Sequence, residues 1–368
     1  MAKIAVICDR EFFSPFDQRV YKEVISLTKL GHHVEIITPH ETTKTKKIDN
    51  VKVHCLTTKG PPASTAYRII KKGLNGNYDL YYCHELDPLL YSLVFKFLRK
   101  KPIIWDCHEH LVPMKKELQG KLSALITDIA IKIAAPKVNH IITVDNLLGR
   151  KLAKMNRVTV IPNYPTEREF PLKTKQMKNR KPKLLYVGGL TKARGTEVMI
   201  RAFNKVKKST EAELTIVGGF YDKKLEIWAK DYDKKNDLEI NWLGWINYKE
   251  LTPIFSDTSL GLCLLQNQER YNKAIATKIY EYLVMGIPVI SSKGLFVDRL
   301  IERANCGKSV DGTSVDSVAK AIIDLLKGDL QKIGHNGQRF ARKRFMWEKR
   351  EEKLSEIVRE LTQINYQI

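Results

Sequence analysis

Residues 271–292, YNKAIATKIYEYLVMGIPVISS, predict a loop, a short helix and a buried strand in succession. Thr277 is expected to be the N-cap of the helix, and a glycine followed by a proline ends it. Lys278 and Glu281 lie three residues apart, so they share one helical face. The helix N-terminus and Lys278 can meet phosphate, and Glu281 can accept hydrogen bonds from ribose hydroxyls. A solvated surface ion pair would show the same pattern.

Upstream of this stretch, the first half of the chain alternates short apolar runs with amphipathic stretches. Its predicted strands are Lys3–Cys8, His33–Thr38, Val51–Leu56, Leu80–Cys83, Ile103–Asp106 and His140–Val144. A helix over Asp17–Leu30, closed by Gly31, separates the first two. This is the pattern of βαβ units, and it predicts a parallel sheet with helices on both faces.

A second strand–helix series follows the polar, basic run 174–183, which we interpret as an interdomain linker. Its predicted strands are 184–190, 212–219, 238–245, 259–265 and 287–292. The sequence therefore predicts two doubly wound α/β domains, 1–170 and 171–344, and a charged helix over 345–368. A C-terminal helix of this kind often docks on the first domain, and we expect it to do so here. Two such domains that face each other create a ligand cleft at the carboxyl ends of both sheets.

The composition points to an anionic partner. The 63 Lys and Arg residues against 41 Asp and Glu give a formal charge of +22. Such an excess suits nucleic acid, an anionic lipid surface or a phosphorylated substrate, although solubility alone can also explain it. No apolar run reaches transmembrane length, no signal peptide is recognisable, and the six cysteines are scattered, so a cytoplasmic protein is expected.

Two further segments of the second half suit a nucleotide. In YVGGLTKARGT (186–196), Gly188 and Gly189 would let the backbone approach a ligand, and Arg194 precedes a helix. The segment is neither GxGxxG nor a Walker loop, which disfavours ordinary dinucleotide and P-loop sites. In NWLGWIN (241–247), the backbone at Gly244 and Trp245 could read a base at a strand end.

The segments VGGLTKARG, TIVGG, WLGWI and ATKIYEYLVMGIPVI, in this order, resemble the C-terminal domain of GT-B glycosyltransferases, especially glycosyltransferase family 4. DQRVYKEVISLTKLGHHVEIIT, YYCHELDPLL, WDCHEHLVP, VIPNYP and FMWEKREEKL resemble other parts of the same family. The resemblance covers nearly the whole chain. It implies two Rossmann-like domains facing across a cleft, with the donor sugar nucleotide bound mainly by the C-terminal one.

The resemblance also implies roles for single residues. Arg194 and Lys278 would contact the diphosphate, and Glu281 would hold the ribose. His108, after the strand Ile103–Asp106, would contact the donor sugar or the transition state, with Asp106 or Glu109 orienting it. The residues expected at the nucleotide are Gly188, Gly189, Arg194, Gly244, Trp245, Lys273, Thr277, Lys278 and Glu281.

The sequence departs from the family pattern at three places. Lys273 stands where the family's Glu-x7-Glu pair has its first carboxylate, with Glu269 nearby, and Glu281 is the second member. Gly189 replaces an arginine that often follows the first glycine. The N-terminal glycine-rich loop is replaced by REFFSPFDQR (10–19), which contains Ser14, Pro15 and Asp17.

The expected activity is transfer of a sugar from a UDP- or GDP-sugar to a glycan or lipid-linked acceptor, with retention, without a metal or other cofactor, in cell-envelope polysaccharide synthesis. A sugar-nucleotide-binding protein without transfer activity, an epimerase and a nucleic-acid-binding protein are the alternatives. The clusters Cys83-His84-Glu85 and Cys107-His108-Glu109-His110 contain metal-ligating residue types, but their spacing is not that of a zinc finger.

Residues 122–136, LSALITDIAIKIAAP, predict an amphipathic helix. Its apolar face consists of Leu122, Leu125, Ile126, Ile129 and Ile133, and lysines precede it and lie within it. For this helix alone, packing of the apolar face into the core is the favoured interpretation. The other hypothesis is peripheral binding at the inner face of an anionic membrane, where a lipid-linked acceptor would lie.

Overall fold

The computed structural model describes residues 1–13, 16–172, 181–246, 248–266 and 275–363. They form two compact units. The first comprises residues 1–163 together with the C-terminal segment from Arg350, and the second comprises residues 164–349. The two units therefore divide a few residues before the boundary predicted at residue 170.

The first unit is built on a mostly parallel sheet. Its described strands are β1 (Lys3–Ile7), β2 (His33–His40), β3 (Lys44–Ile48), β4 (Val51–Thr57), β5 (Leu80–His84), β6 (Ile103–Cys107), β7 (His140–Thr143) and β8 (Val158–Val160). Their order is β3-β4-β2-β1-β5-β6-β7-β8, and β3 alone pairs antiparallel. β5 and β6 are adjacent and parallel, so their carboxyl ends meet at one edge of the sheet.

Helices connect these strands. They are α1 (Gln18–Lys29), α2 (Pro62–Asn75), α3 (Leu86–Arg99), α4 (Leu111–Gln119), α5 (Lys121–Ala134) and α6 (Asn146–Leu152). α1 begins where predicted, because the Asp17 side chain accepts a hydrogen bond from the Val20 amide and caps the first turn. Beneath the helices the core is aromatic, with Tyr81 and Phe95 stacked at 4.3 Å between ring centroids.

The C-terminal helix, Glu348–Gln363, contributes its larger part to the first unit. Its apolar side is buried, and its polar side bonds to that unit. The Ser26 hydroxyl donates to Glu351 at 2.7 Å, and Arg157 pairs with Glu360. The last helix of the chain therefore belongs to the fold of the first domain.

The second unit carries a smaller, wholly parallel sheet. Its described strands are β9 (Lys183–Val187), β10 (Glu213–Val217), β11 (Asn241–Gly244), β12 (Leu260–Cys263), β13 (Val289–Ser292) and β14 (Gly307–Val310), in the order β11-β10-β9-β12-β13-β14. The described helices around it are Thr196–Lys207, Lys223–Lys235, Tyr248–Ser256, Thr277–Val284, Leu295–Ala304, Val315–Leu326 and Leu330–Arg344. Each unit is thus doubly wound, as the sequence predicted.

The favoured interpretation of the α5 apolar face was wrong. The five large apolar side chains predicted to enter the core are between 47 and 71 % exposed. The opposite side of the helix is buried instead, and it consists of Ala124, Thr127, Ile131 and Ala134. Ile131 and Ala134 join the core of the unit, so the five larger apolar side chains on the other face lie in solvent.

Two more observations bear on the sequence predictions. Among the described residues, no helix combines the length and the apolar character that crossing a bilayer requires. All six cysteines are buried free thiols.

Candidate functional site

The carboxyl ends of β9, β10 and β11 meet at one edge of the second sheet, and each is marked by a glycine. Gly188 donates its N–H to the Val217 carbonyl at 2.8 Å, and Gly218 donates to the Gly244 carbonyl at 2.7 Å. All three glycines have positive φ angles, of +131°, +135° and +64°. A Cβ on Gly218 would lie 2.0 Å from the Gly188 carbonyl oxygen, so this glycine is needed for close approach of two strands.

Two cationic side chains converge at Gly188. A Cβ built on this glycine would lie 3.1 Å from Lys278 Nζ and 3.7 Å from Arg194 Nη1. Lys278 Nζ also lies 3.9 Å from the centre of the Tyr186 ring. The structure therefore brings together residues that are 90 positions apart in the sequence, and any anion beside Gly188 would meet both charges.

Arg194 is positioned by its own turn. It ends the 3-10 helix Lys192–Arg194, where the Thr191 hydroxyl accepts the Arg194 amide at 3.2 Å. Its Nη1 donates to the Gly189 carbonyl at 3.3 Å. A Cβ on Gly189 would lie 3.0 Å from the same Nη1 and 2.2 Å from the Tyr221 ring, so glycine at this position leaves room for both side chains.

Lys278 and Glu281 lie on the helix Thr277–Val284, as predicted, but the cap differs. The N-cap is Ala276, with extended φ and ψ of −63° and 137°, and no described side chain caps it. Thr277 is therefore the first helical residue, and its prediction as the N-cap was wrong. The Glu281 side chain is buried and the Lys278 side chain is half-buried, one turn apart on one face. First-turn amides without a side-chain cap can receive an anion.

An aromatic pair stands at the same sheet edge. Trp245 is 58 % exposed and its ring centroid lies 6.2 Å from that of Tyr221, which is 64 % exposed. A Cβ on Gly219 would lie 2.3 Å from Trp245 Nε1, so that glycine makes room for the indole. The sequence analysis predicted Trp245 at this place but missed Tyr221. Tyr221 directly follows GGF at a strand end, and this position could have indicated it as a site residue.

The predicted residue Lys273 lies outside the described residues, as do Glu269, Ser14 and Pro15. The other residues predicted at the nucleotide lie at the ends of three strands and on one helix of the second unit. Gly188, Gly189, Arg194 and Lys278 form a group in contact, while Thr277 and Glu281 share the Lys278 helix, and Gly244 and Trp245 follow β11.

In the first unit, Asp106 belongs to a buried ion pair. Both of its oxygens receive the Arg19 guanidinium, at 2.8 Å from Nε and 3.0 Å from Nη2. Burial alone would raise the pKa of Asp106, but the neighbouring guanidinium outweighs it and lowers this pKa to about 2. Arg19 also donates to the Ile161 carbonyl at 3.0 Å. Asp106 therefore remains ionised and holds α1 on the sheet.

His108 is held by Glu85, and not by either of the predicted partners. Glu85 Oε1 accepts the His108 backbone N–H at 3.0 Å and lies 3.2 Å from His108 Nδ1. Asp106 has both oxygens on Arg19, and Glu109 is exposed on the loop after β6. The orienting roles predicted for Asp106 and Glu109 are therefore corrected to Glu85, which reaches His108 because β5 and β6 are neighbours.

The backbone of Glu85 is strained. Its φ of 67° and ψ of −162° fall in a region that is occupied almost only by glycine. Neighbouring groups hold it there, since Trp105 Nε1 donates to the Glu85 carbonyl at 2.9 Å and the Glu85 amide donates to the Asp106 carbonyl at 2.9 Å. Strain retained in this way is typical of functional sites.

Burial shifts the ionisation of both groups toward neutrality. It lowers the pKa of His108 to about 3, and it raises the pKa of Glu85 well above its ordinary value. Within the described residues, His108 Nε2 is buried and has no hydrogen-bond partner. A neutral imidazole can donate or accept a hydrogen bond with that nitrogen.

Glu23, His84 and Asp106 offer three buried ligand atoms within 4.8 Å of one another. The Arg19 guanidinium occupies both oxygens of Asp106 and lies 3.1 Å from Glu23. A metal cation there would stand beside this fixed positive charge, so the cluster is an ion-paired structural network. His84 lies 3.5 Å from Glu23 and 3.7 Å from Asp106, and beside the Arg19 guanidinium these three residues do not fit a metal.

Comparisons with known proteins agree with this architecture. Residues 18–164 match the family described as Glycosyltransferase Family 4, and residues 168–344 match Glycosyl transferases group 1. An uncharacterized glycosyltransferase of Methanocaldococcus jannaschii is 19 % identical over 273 residues, which cover 69 % of this chain and 67 % of that protein.

Solved structures share the fold. A sucrose-phosphate synthase of Thermosynechococcus elongatus has a TM-score of 0.80 at 16 % identity, covering 99 % of this chain and 100 % of that one. Anabaena HepE, in complex with UDP and glucose, has a TM-score of 0.75 at 15 % identity, covering 98 % and 100 %. An Escherichia coli trehalose-6-phosphate protein bound with UDP-2-fluoro glucose has a TM-score of 0.70 at 10 % identity, covering 98 % and 99 %.

Proposed function

Because this chain belongs to the family 4 glycosyltransferases of the GT-B fold, we propose that it transfers a sugar from a UDP- or GDP-sugar to a glycan or lipid-linked acceptor. The observation that carries the proposal is the convergence of Arg194 and Lys278 on Gly188. In the reaction, the bond between the sugar C1 and the phosphate oxygen breaks, the acceptor oxygen bonds to C1, and the acceptor proton passes to the departing diphosphate.

The two cations act on the leaving group. Negative charge grows on the diphosphate as the C1–O bond breaks, and fixed positive charges at that place stabilise the transition state more than the ground state. The Arg194 guanidinium is held on the Gly189 carbonyl and the Lys278 ammonium lies over the Tyr186 ring, so both charges are in place before the reaction. We propose that they take the part a metal ion plays in other sugar-nucleotide enzymes, and that transfer needs no metal.

The nucleoside part of the donor has its own candidates. Glu281 lies one turn after Lys278 and would accept hydrogen bonds from the ribose hydroxyls. The exposed Trp245 and Tyr221 rings stand at the ends of β11 and β10, where a base can pack against them. UDP is the favoured nucleotide, since HepE is described in complex with UDP and the E. coli protein with a UDP-sugar.

We propose that His108 acts on the sugar. Its imidazole is neutral and lies beside Glu85, so a sugar bound at this residue would meet no positive charge from it. The family resemblance supports retention of anomeric configuration.

The second candidate is a sugar-nucleotide-binding protein without transfer activity. An epimerase is grouped with it, because it too would not transfer the sugar to an acceptor. The observation that favours it is Lys273, which replaces a carboxylate of the family pattern. Both candidates predict nucleotide binding, but only the first predicts a glycosylated product.

The donor site is tested first by binding. We expect UDP to stabilise the full chain in a thermal-shift assay and to bind in calorimetry, and Lys278→Ala to weaken the affinity about 10- to 100-fold, because a charge-assisted contact to phosphate is lost. The matched control is Lys192→Ala. This lysine lies in the same turn as Arg194, but its exposed side chain pairs with Glu197 at 3.4 Å.

Equal loss of affinity in the two variants would contradict the proposed site, since it would mean that general positive charge, and not Lys278, attracts the nucleotide. Binding of duplex DNA in place of UDP, GDP or ADP would contradict the whole proposal.

Transfer is tested with a panel of UDP- and GDP-sugars and a membrane extract as acceptor. We expect a glycosylated product that forms equally with and without EDTA and whose anomeric signal in NMR matches that of the donor. Nucleotide binding with hydrolysis or epimer formation alone would favour the second candidate. Dependence on a divalent ion would overturn the metal-independent mechanism.

The acceptor is proposed to be a glycan or lipid-linked sugar. A lipid-linked acceptor lies in a bilayer, so peripheral contact of the first unit with an anionic membrane belongs to the proposal. The net charge of +22 is consistent with such a contact.

A further inference from the structure

The outward face of α5 is an exposed apolar strip. It consists of Leu122, Leu125, Ile126, Ile129 and Ile133, each of them a large side chain in solvent. From the first to the last residue the strip runs along three turns of helix, roughly 16 Å at 1.5 Å per residue. Single exposed apolar residues are ordinary, but a continuous strip of them marks an interaction surface.

The neighbouring helices extend this character. α4 joins α5 through Gly120 and carries the exposed Leu118 in its last turn. α3 contacts α5 and carries Phe97, which is 81 % exposed, near its C-terminus. The two helices that contact α5 thus also carry exposed apolar side chains.

Basic residues flank the strip. Residues 111–137 contain five lysines, one glutamate and one aspartate. Lys116 and Lys121 are exposed on either side of the α4–α5 turn, and Lys132, exposed on α5 itself, pairs with Asp128 at 2.7 Å. Long lysine side chains can keep their charge at an aqueous boundary while their stems lie along apolar surface.

We propose that the α4–α5 surface docks on an anionic lipid bilayer, with α5 lying in the plane of the interface. An apolar helical face with flanking lysines matches a bilayer whose acyl region is apolar and whose headgroups are negative. A second copy of this chain fits less well, because it would bring the same lysines and the same net charge of +22 against the first. This inference deepens the acceptor part of the proposed function, but its test does not require transfer activity.

The test is flotation of the full chain with vesicles of phosphatidylcholine alone or mixed with phosphatidylglycerol. We expect binding to the mixed vesicles, and we expect the double variant Leu125→Ser with Ile129→Ser to lower the partition coefficient about tenfold or more. The control is Ile227→Ser, because Ile227 is a singly exposed isoleucine, 54 % accessible, on a helix of the second unit. A charge variant, Lys116→Glu with Lys121→Glu, should lose binding to the mixed vesicles.

The substituted side chains are in solvent, so we expect the same UDP-induced thermal shift in the wild type and in the variants. This control distinguishes a variant that fails to bind vesicles from one that fails to fold or to bind the donor. Flotation that ignores lipid charge, or that survives the Leu125 and Ile129 substitutions, would overturn the inference. Light scattering that shows a dimer for the wild type and a monomer for the double variant would also overturn the inference, because the strip would then bind a second copy of the chain.

Discussion

At the scale of single residues, Arg194 and Lys278 come together at Gly188, and Glu85 lies beside His108. Lys278 and Arg194 could be predicted because each stands in a local signal, a helix start and a glycine turn, and the structure brings both to Gly188. Glu85 could not be assigned to His108 in this way, since the two residues meet across neighbouring strands. Local spacing contains no information about which strands become neighbours.

Glu85 gives the prediction that belongs at this scale. Glu85→Gln keeps the size of the side chain but alters the group beside His108 Nδ1, so we expect kcat to fall roughly 10- to 100-fold while the dissociation constant of UDP stays unchanged. The measurements are steady-state kinetics and calorimetry on the same preparation.

Glu109→Gln is the matched control, because Glu109 lies on the same loop as His108 but is exposed. If both variants keep wild-type kcat, Glu85 has no positioning role. A fall in kcat accompanied by lost UDP binding would instead indicate a general structural defect.

At the scale of elements, apolar periodicity predicted the longer buried strands and missed β3, β8 and β14. β8, VTV, has only three residues, and all are half-buried. β3, KTKKI, is lysine-rich and largely exposed, and β14, GKSV, is short and polar, so neither shows a buried apolar run. The same limit explains α5. Periodicity identified its most apolar face, but the buried side is the opposite one, with Ala124, Thr127, Ile131 and Ala134.

The cap of α1 gives the prediction for this scale. Asp17 accepts the Val20 amide at 3.1 Å, and α1 carries Arg19 and Glu23 into the buried network. We expect Asp17→Ala to cost about 1 kcal/mol of stability and to speed hydrogen exchange at the Val20 amide, because its acceptor is removed. Exchange followed by NMR or mass spectrometry measures this directly.

The control for the cap is Asp316→Ala, which removes an exposed first-turn aspartate from another helix and should change stability by less than about 0.5 kcal/mol. Unchanged exchange at Val20 in the Asp17 variant would show that this cap contributes nothing.

At the scale of the whole molecule, the two-domain architecture and the family could be predicted from the order of the motifs, because that order spans both units. The two sheets follow the α/β alternation seen in the sequence, and the family matches cover residues 18–164 and 168–344. The division of the C-terminal segment between the units depends on tertiary contacts such as Ser26 with Glu351, which periodicity does not report.

The response to acid also concerns the whole fold of the first unit. Burial lowers the pKa of His140 from 6.5 to about 4, so the unfolded chain binds more protons between these values and stability must fall as the pH drops from about 6.5 to 4. Between pH 6.5 and 4, we expect the free energy of unfolding of the His140→Gln variant to fall by on the order of 1–3 kcal/mol less than that of the wild type. Urea denaturation across this pH range measures the difference.

His335→Gln is the control, because His335 is exposed in the second unit. A His140 variant whose stability varies with pH as steeply as wild type would refute the assignment.

The strained backbone at Glu85 has a consequence for laboratory evolution of this enzyme. Glycine would occupy that conformation without strain, so screening for heat resistance alone should enrich glycine at position 85, relieving roughly 1–3 kcal/mol. The same change would leave the His108 amide and imidazole without their carboxyl neighbour. Glycine at position 85 would therefore favour thermostability and glutamate would favour turnover. Libraries intended to improve both properties should leave residue 85 unchanged.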